Sequence, residues 1–282
     1  MQLRLLCVGD VVGQPGRQVL AEQLHRVVKE HEVDCVIVNA ENAAGGSGLN
    51  PTIYRKLHTY GVNLVTLGDH IYRKREIVEV LENADDIVRP ANLTPQASGR
   101  EFALFSTQKG PQVAVISLLG RMFMPVPSDN PFVAVDRVLN RLHNQTSVIV
   151  VDVHAEATSE KIAMGRYLDG RVSAVFGTHT HVTTADETVL PRGTAYITDV
   201  GMTGPHDSVL GRNTERVLKN LTTQMPSTFS IATGDVRING LLVTVDSNTG
   251  LAVSAERLCV KAGETRHAAY NSDDGRAGVP RM

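Results

Sequence analysis

Five short apolar runs in this chain end on the same kind of residue, and that repetition constrains the fold more than any other feature. The run over 3–8 gives way to Gly9-Asp10, and the run over 35–38 to Asn39-Ala40-Glu41-Asn42. Residues 64–67 are followed by Gly68-Asp69-His70. The run over 148–153 meets His154, and 172–176 leads into Gly177-Thr178-His179-Thr180-His181. Short continuous apolar runs of this kind read as strands covered on both faces. Helical spacing lies between the early ones. Pro15 stands where a helix can start, ahead of Val19, Leu20, Leu24, Val27 and Val28; Pro51 opens a second helix that ends near Gly61; residues 74–81 suit a third. Strands alternating with helices predict an α/β fold with parallel strands. In a parallel sheet the carboxyl ends share one edge, where ligands bind. Side chains spread from position 10 to 181 can therefore meet.

What would meet there is chemically specific. Asp10, Glu41, Asn42, Asp69, His154, His179 and His181 offer oxygen and imidazole nitrogen without a thiolate. That set suits manganese, iron or zinc. It is too large for one tetrahedral ion and fits two ions sharing a carboxylate. Three carboxylates against two divalent ions leave a net positive site that attracts phosphate. Two such ions polarise phosphoryl oxygens and lower the pKa of water. Taken singly, each residue has a plain structural reading. An Asp after a strand caps a turn, His154 satisfies a core, and His70 lies on the surface. The pair His179 and His181 is more specific, because alternate residues of an extended segment face the same way. All the plain readings would have to hold at once on five strands.

Composition removes several other classes. A hydrophobic fraction of 42% supports a sizeable core in 282 residues. Net charge is −2, which lacks the electrostatic footprint of a duplex nucleic-acid binder. Aromatics are 4% and Trp is absent, which argues against stacking platforms for single strands. The N-terminal apolar stretch stops at Gly9-Asp10, too soon for a signal peptide, and no run is long enough to cross a membrane. Cys7, Cys35 and Cys259 show no paired spacing, so buried reduced thiols in a cytoplasmic protein are expected.

Further strands are expected at 113–118 and 195–198. Residues 236–245 read as strand-like with Asn239-Gly240 as one turn signal and Asn248-Thr249-Gly250 as a second, so antiparallel hairpins should edge the sheet or form another. Gly45-Gly46-Ser47-Gly48 lacks the Lys of a phosphate-binding P-loop and reads equally as a flexible loop or an anion nest. The stretch 199–205 looks like a loop at the ligand edge. With no repeat and no linker, residues 1–260 are expected to form one domain and 261–282 a disordered tail.

These residues also carry a resemblance. Asp10, Gly68-Asp69-His70, His154 and Gly177-Thr178-His179-Thr180-His181 resemble the calcineurin-like metallophosphoesterases. Gly9-Asp10-Val11-Val12-Gly13, Glu41-Asn42-Ala43-Ala44, Arg89-Pro90-Ala91-Asn92 and the stretch from His154 to Glu160 are similar to its YmdB-type branch, bacterial cyclic-nucleotide phosphodiesterases. The resemblance covers roughly residues 3–260. It implies a four-layer sandwich, two mainly β-sheets flanked by helices. It implies one metal on Asp10, Glu41, Asn42 and His181, and another on Glu41, Asp69, His154 and His179, with Glu41 bridging. His70 would protonate the leaving alkoxide. Iron is the implied metal, with manganese as alternative, and the substrate a 2′,3′-cyclic nucleotide or related small phosphodiester. Val12 stands where the wider superfamily carries His, a change the narrower branch shares. Asp69 stands where the family usually has Asn, and His206 where the branch often has Tyr.

A phosphomonoesterase or protein phosphatase on the same centre is the nearest competing reading. A nucleotide- or RNA-binding regulator with little turnover is the competitor from outside enzymes. Self-association into a homo-oligomer stays open.

Overall fold

The computed structural model describes residues 1–263. The chain opens with β1 (Gln2–Val8) and the two-residue β2 (Asp10–Val11), followed by α1 (Gly13–Glu30), β3 (Cys35–Asn39), α2 (Pro51–Thr59), β4 (Leu64–Thr66), α3 (Ile77–Asn83) and β5 (Ile87–Val88). A second series follows: β6 (Phe102–Ser106), β7 (Gln112–Leu119), α4 (Pro131–Leu142), β8 (Val148–His154), α5 (Thr158–Leu168), β9 (Ala174–Thr178), β10 (Thr188–Val189) and β11 (Ala195–Ile197). The described chain closes with β12 (Met202–Asp207), α6 (Thr214–Thr223), β13 (Gly234–Asp246) and β14 (Ala252–Lys261). Of the expected helices, the second starts at Pro51 as its proline signals, with Asn50 capping it by accepting from Ile53 N–H; α1 begins at Gly13, ahead of Pro15, and α3 at Ile77 instead of residue 74. The same Asn-Pro start, with Asn130 accepting from Phe132 N–H, opens α4, a helix the sequence reading did not name.

The strands form two sheets. One has eight strands in the order β2-β12-β13-β1-β3-β4-β5, with β14 paired to β13; the other has six, β10-β11-β9-β8-β7-β6. Neighbours β1-β3-β4-β5 and β7-β8-β9-β11 run parallel, and antiparallel strands are added at the flanks. Leu3, Leu5, Cys7, Ile37, Val115, Val150, Phe176 and Val243 fill the space between the sheets. Leu6, Val8 and Val38 face Leu20, Leu24 and Leu57 of the helices on one outer side. Ala114, Ile116 and Val151 face Val135, Leu142 and Leu168 on the other. The result is the expected four-layer sandwich, and the near-total apolarity of β1, β3 and β8 follows from burial on both faces.

Several expectations change. The donor-bearing strands belong to two sheets instead of one, so their shared edge is the end of the sandwich. Asn239-Gly240 is no turn: β13 runs straight through it, and a Cβ on Gly240 would press on the Cys7 carbonyl of the neighbouring strand. The hairpin to β14 turns at 247–250 as expected. Gly45-Gly46-Ser47-Gly48 is a packed loop in which Arg212 Nη2 donates to Gly46 O and a Cβ on Gly46 would meet Ile231. The stretch 199–205 is loop only as far as Gly201, beyond which β12 begins. Cys7 and Cys35 are buried as expected, whereas Cys259 is exposed on β14. Of the expected tail, Lys261 ends β14 and residues 264–282 lie outside the described residues. Among the described residues no helix is long and apolar enough to cross a membrane.

Candidate metal centre

β1 stops at Val8 because the backbone is pinched at Gly9. A Cβ there would run into the carbonyl oxygen of Gly201, so only glycine lets the chain pass and pair β2 with β12. That crossing buries Asp10 completely at the end of the sandwich. Gly68 does the same for Asp69, since a Cβ on it would strike the His154 ring. Glu41 and Asn42 follow β3 and are buried, and His154 is the last residue of β8.

Glu41, Asp69, His154 and His179 converge so that one ligand atom from each lies within 4.8 Å of the others. His154 Nε2 is 3.0 Å from Asp69 Oδ1 and 3.2 Å from Glu41 Oε1. His179 turns Nδ1 to the cluster, 3.3 Å from Asp69 Oδ1, and Nε2 outward to Glu156 Oε2 at 3.2 Å. Asp10, Asn42 and His181 adjoin this set. His181 Nε2 lies 3.9 Å from Asp10 Oδ1 and 3.3 Å from Asn42 Nδ2, which is itself 3.3 Å from Glu41 Oε1. Asn42 Nδ2 faces the carboxylates, so ligation through Oδ1 requires the amide to turn over. The structure thus brings all seven expected side chains together. His70 joins them: its backbone N–H donates to Glu41 Oε2 at 3.0 Å, and its Nδ1 sits 2.7 Å from Asn42 Oδ1.

The two loop histidines arrive by a different route from the one expected. They lie past the end of β9, and both adopt left-handed backbone, φ 95° at His179 and 65° at His181. They address the two halves of the cluster instead of sharing one face. Such a conformation costs about 1–3 kcal/mol per residue and persists only where surroundings impose it. The imposing group is Asp199. Its Oδ2 accepts from Thr180 Oγ1 at 2.7 Å and Thr180 N–H at 3.3 Å, and its Oδ1 from Gly201 N–H at 2.7 Å. Lys161 Nζ of α5 meets the same Oδ2 at 2.6 Å, and both side chains are only 1% exposed.

A second buried acid orients His154. Asp152 accepts from Asn39 Nδ2 at 3.0 Å, Thr66 Oγ1 at 2.5 Å and Thr178 Oγ1 at 2.6 Å, tying β3 and β4 of one sheet to β8 and β9 of the other. Thr178 spends its only hydroxyl hydrogen on Asp152, so its oxygen accepts from His154 Nδ1–H at 2.9 Å. That leaves His154 Nε2 aimed at the cluster. His181 is set likewise, its Nδ1–H donating to Leu210 O at 3.1 Å. Burial pushes the Asp152 carboxyl up to about 6, against the pull of His154 and the three donors.

The charge pattern fits a cation. Burial opposes charge on Glu41 and Asp69, yet neighbouring His154 holds both below the usual carboxylate range, with His179 adding to Asp69. Burial likewise opposes a proton on His154, and the two carboxylates hold it well above the usual imidazole value. The proton on Nε2 is where a metal ion would stand. Sequence reasoning gave no role to Asp152, Lys161, Thr178 or Asn39, and it placed Asp199 only in a loop at the ligand edge. Asp152 left a signal of its own, an acid inside the run Val150-Val151-Asp152-Val153.

Two other motifs have structural uses. Asn92 donates to Leu119 O and Asp129 O, and Glu160 accepts from Arg121 N–H and Met122 N–H.

Comparison with known proteins agrees with this geometry. The model of the YmdB-like protein family matches residues 6–258. The chain is 43% identical over 258 residues to the 2′,3′-cyclic-nucleotide 2′-phosphodiesterase of Bacillus subtilis, covering 92% of this chain and 97% of that one. Among solved structures it is similar to a hypothetical protein from Thermus thermophilus, with TM-score 0.83, 40% identity and coverage of 92% and 99%. It is also similar to a novel phosphatase of Mycoplasma pneumoniae, with TM-score 0.85, 34% identity and coverage of 93% and 94%.

Proposed function

Because this chain belongs to the YmdB-like family, we propose that it is a metal-dependent phosphodiesterase acting on 2′,3′-cyclic nucleotides or closely related small phosphodiesters. The observation that carries the reading is the convergence of Glu41, Asp69, His154 and His179. The substrate class follows the name of the Bacillus subtilis relative. One cation is assigned to those four residues and a second to Asp10, Glu41, Asn42 and His181, with Glu41 shared. The oxygen and imidazole donors suit iron first, with manganese or zinc as substitutes. Two such ions supply positive charge for the phosphoryl oxygens and lower the pKa of water.

The chain's own residues do the rest. Lys161, Asp199 and Thr180 hold the histidine loop in its strained shape, and Asp152 with Thr178 holds His154. His70 is assigned the proton delivered to the leaving oxygen. With the Asn42 amide turned so that Oδ1 faces the cation, its Nδ2–H donates to His70 Nδ1, which places the ring proton on Nε2, the donating nitrogen. The unpaired cysteines suit the reducing cytoplasm.

The test is metal analysis of protein purified without added metal, followed by one assay across cyclic nucleotides, nucleoside monophosphates and an artificial diester. Preferential opening of the cyclic nucleotides is expected. Faster release of phosphate from monoesters would reassign the protein as a phosphomonoesterase. Binding without turnover in metal-loaded protein would make it a nucleotide-binding regulator.

A further inference from the structure

A cavity of about 640 Å³ along α1 touches none of the donors. A second, of about 400 Å³, has His181 in its wall. That volume falls within the range of small-molecule sites, roughly 300–1,000 Å³. Its position follows from strand alternation. Leu241 and Val243 of β13 face the space between the sheets, so Asn239 and Arg237 face the same way further along the strand. Cys259 of β14 stands directly opposite Asn239, and Arg257 opposite Leu241. The cavity is therefore the inter-sheet space continued beyond its core, at the end where the metal centre lies.

Its lining argues against a second phosphate. Arg237 is paired with Asp235, and Arg257 Nε lies 2.7 Å from Glu187 Oε2. His206 is held in one neutral form: Nδ1–H donates to Gly204 O at 3.0 Å, and Nε2 accepts from Asn239 Nδ2 at 2.9 Å. The other Asn239 amide hydrogen goes to Met202 O at 3.2 Å, which leaves Oδ1 to accept from a ligand. Met202, Leu210 and Val182 supply apolar wall. Paired charges, apolar side chains and fixed amide and imidazole groups suit a flat, neutral, hydrogen-bonding ring.

We propose that this cavity is the nucleoside subsite, receiving the base and ribose of a cyclic nucleotide whose phosphate lies beside His181, with Asn239 and Cys259 setting preference for the organic half. The proposal rests on the phosphodiesterase reading above.

Cys259 supplies the test, because Cys7 and Cys35 are buried and the native protein should expose one reactive thiol. A disulfide reagent such as dithionitrobenzoate reads its rate of labelling. A nucleoside monophosphate product at saturation should slow labelling roughly tenfold or more, whereas inorganic phosphate should not. Kinetics give the second readout. Cys259→Trp, which intrudes on the cavity, should lower the ratio of kcat/KM for 2′,3′-cyclic AMP to that for glycerol 1,2-cyclic phosphate by roughly tenfold. Cys259→Ser should restore the ratio. Equal labelling with and without bound nucleotide, or an unchanged ratio in Cys259→Trp, overturns the subsite while leaving the phosphodiesterase reading intact. Failure of the wild-type protein to hydrolyse either cyclic phosphate overturns both.

Discussion

Lys161 offers the sharpest test of how the strained histidine loop is held. Its ammonium and the Asp199 carboxylate are both 1% exposed and 2.6 Å apart. Replacing one partner of such a pair leaves an uncompensated buried charge, at a cost of about 3–5 kcal/mol. A chain of this size loses roughly 2–4 °C of melting temperature per kcal/mol, so Lys161→Met should melt about 6–20 °C lower. The same change loosens the acceptor that fixes Thr180 between His179 and His181, so metal affinity should fall by about 10–100-fold. Differential scanning fluorimetry and chelator competition read the two effects separately. The double variant Lys161→Met with Asp199→Asn removes the stranded charge and keeps an oxygen for the loop. It should recover more than half of the lost melting temperature. A single variant that melts within about 2 °C of wild type, or a double variant no more stable than the single, would show that the Lys161–Asp199 pair does not hold the loop.

Three further outcomes are expected. His70→Ala should lower turnover by about 10²–10⁴-fold with metal content unchanged; loss of metal in step with turnover would make His70 structural. Asp152→Ala leaves Thr178 free to turn away from His154, and chelator competition should show metal affinity down about 10–100-fold, with an unchanged value excluding the relay. Burial holds His206 below the ordinary imidazole value of 6.5. The unfolded chain then takes up this proton first as pH falls, so the stability His206 contributes is complete above that value and is lost below it. Imidazole NMR should show a midpoint under 6.5 and a persistent Nδ1–H tautomer, and a midpoint above 6.5 contradicts the assignment.

The strand ends were legible because a run such as 35–38 can be buried only as an interior strand, and the polar residues after it must then emerge at the sheet's end. Which sheet each strand joins was not legible from the runs. An apolar strand covered on both faces carries no mark of its neighbours; the hairpin signals over 236–250 left a second sheet open, and the resemblance implied one. Asn239-Gly240 misled because its glycine answers to the close approach of β1 instead of a turn. His179 and His181 misled because spacing alone does not reveal positive φ, which here is imposed by Asp199 from twenty residues away. Lys161 was hidden in a helical pattern, where a buried lysine looks like any solvated one until its partner is located.

Seven side chains from two sheets are proposed to hold two ions. Crystals soaked in manganese and measured for anomalous scattering test it directly. Two peaks are expected roughly 3.5–4 Å apart, one among Glu41, Asp69, His154 and His179, the other beside Asp10, Asn42 and His181. A single peak, or metal bound elsewhere with His154, His179 and His181 free, would contradict it.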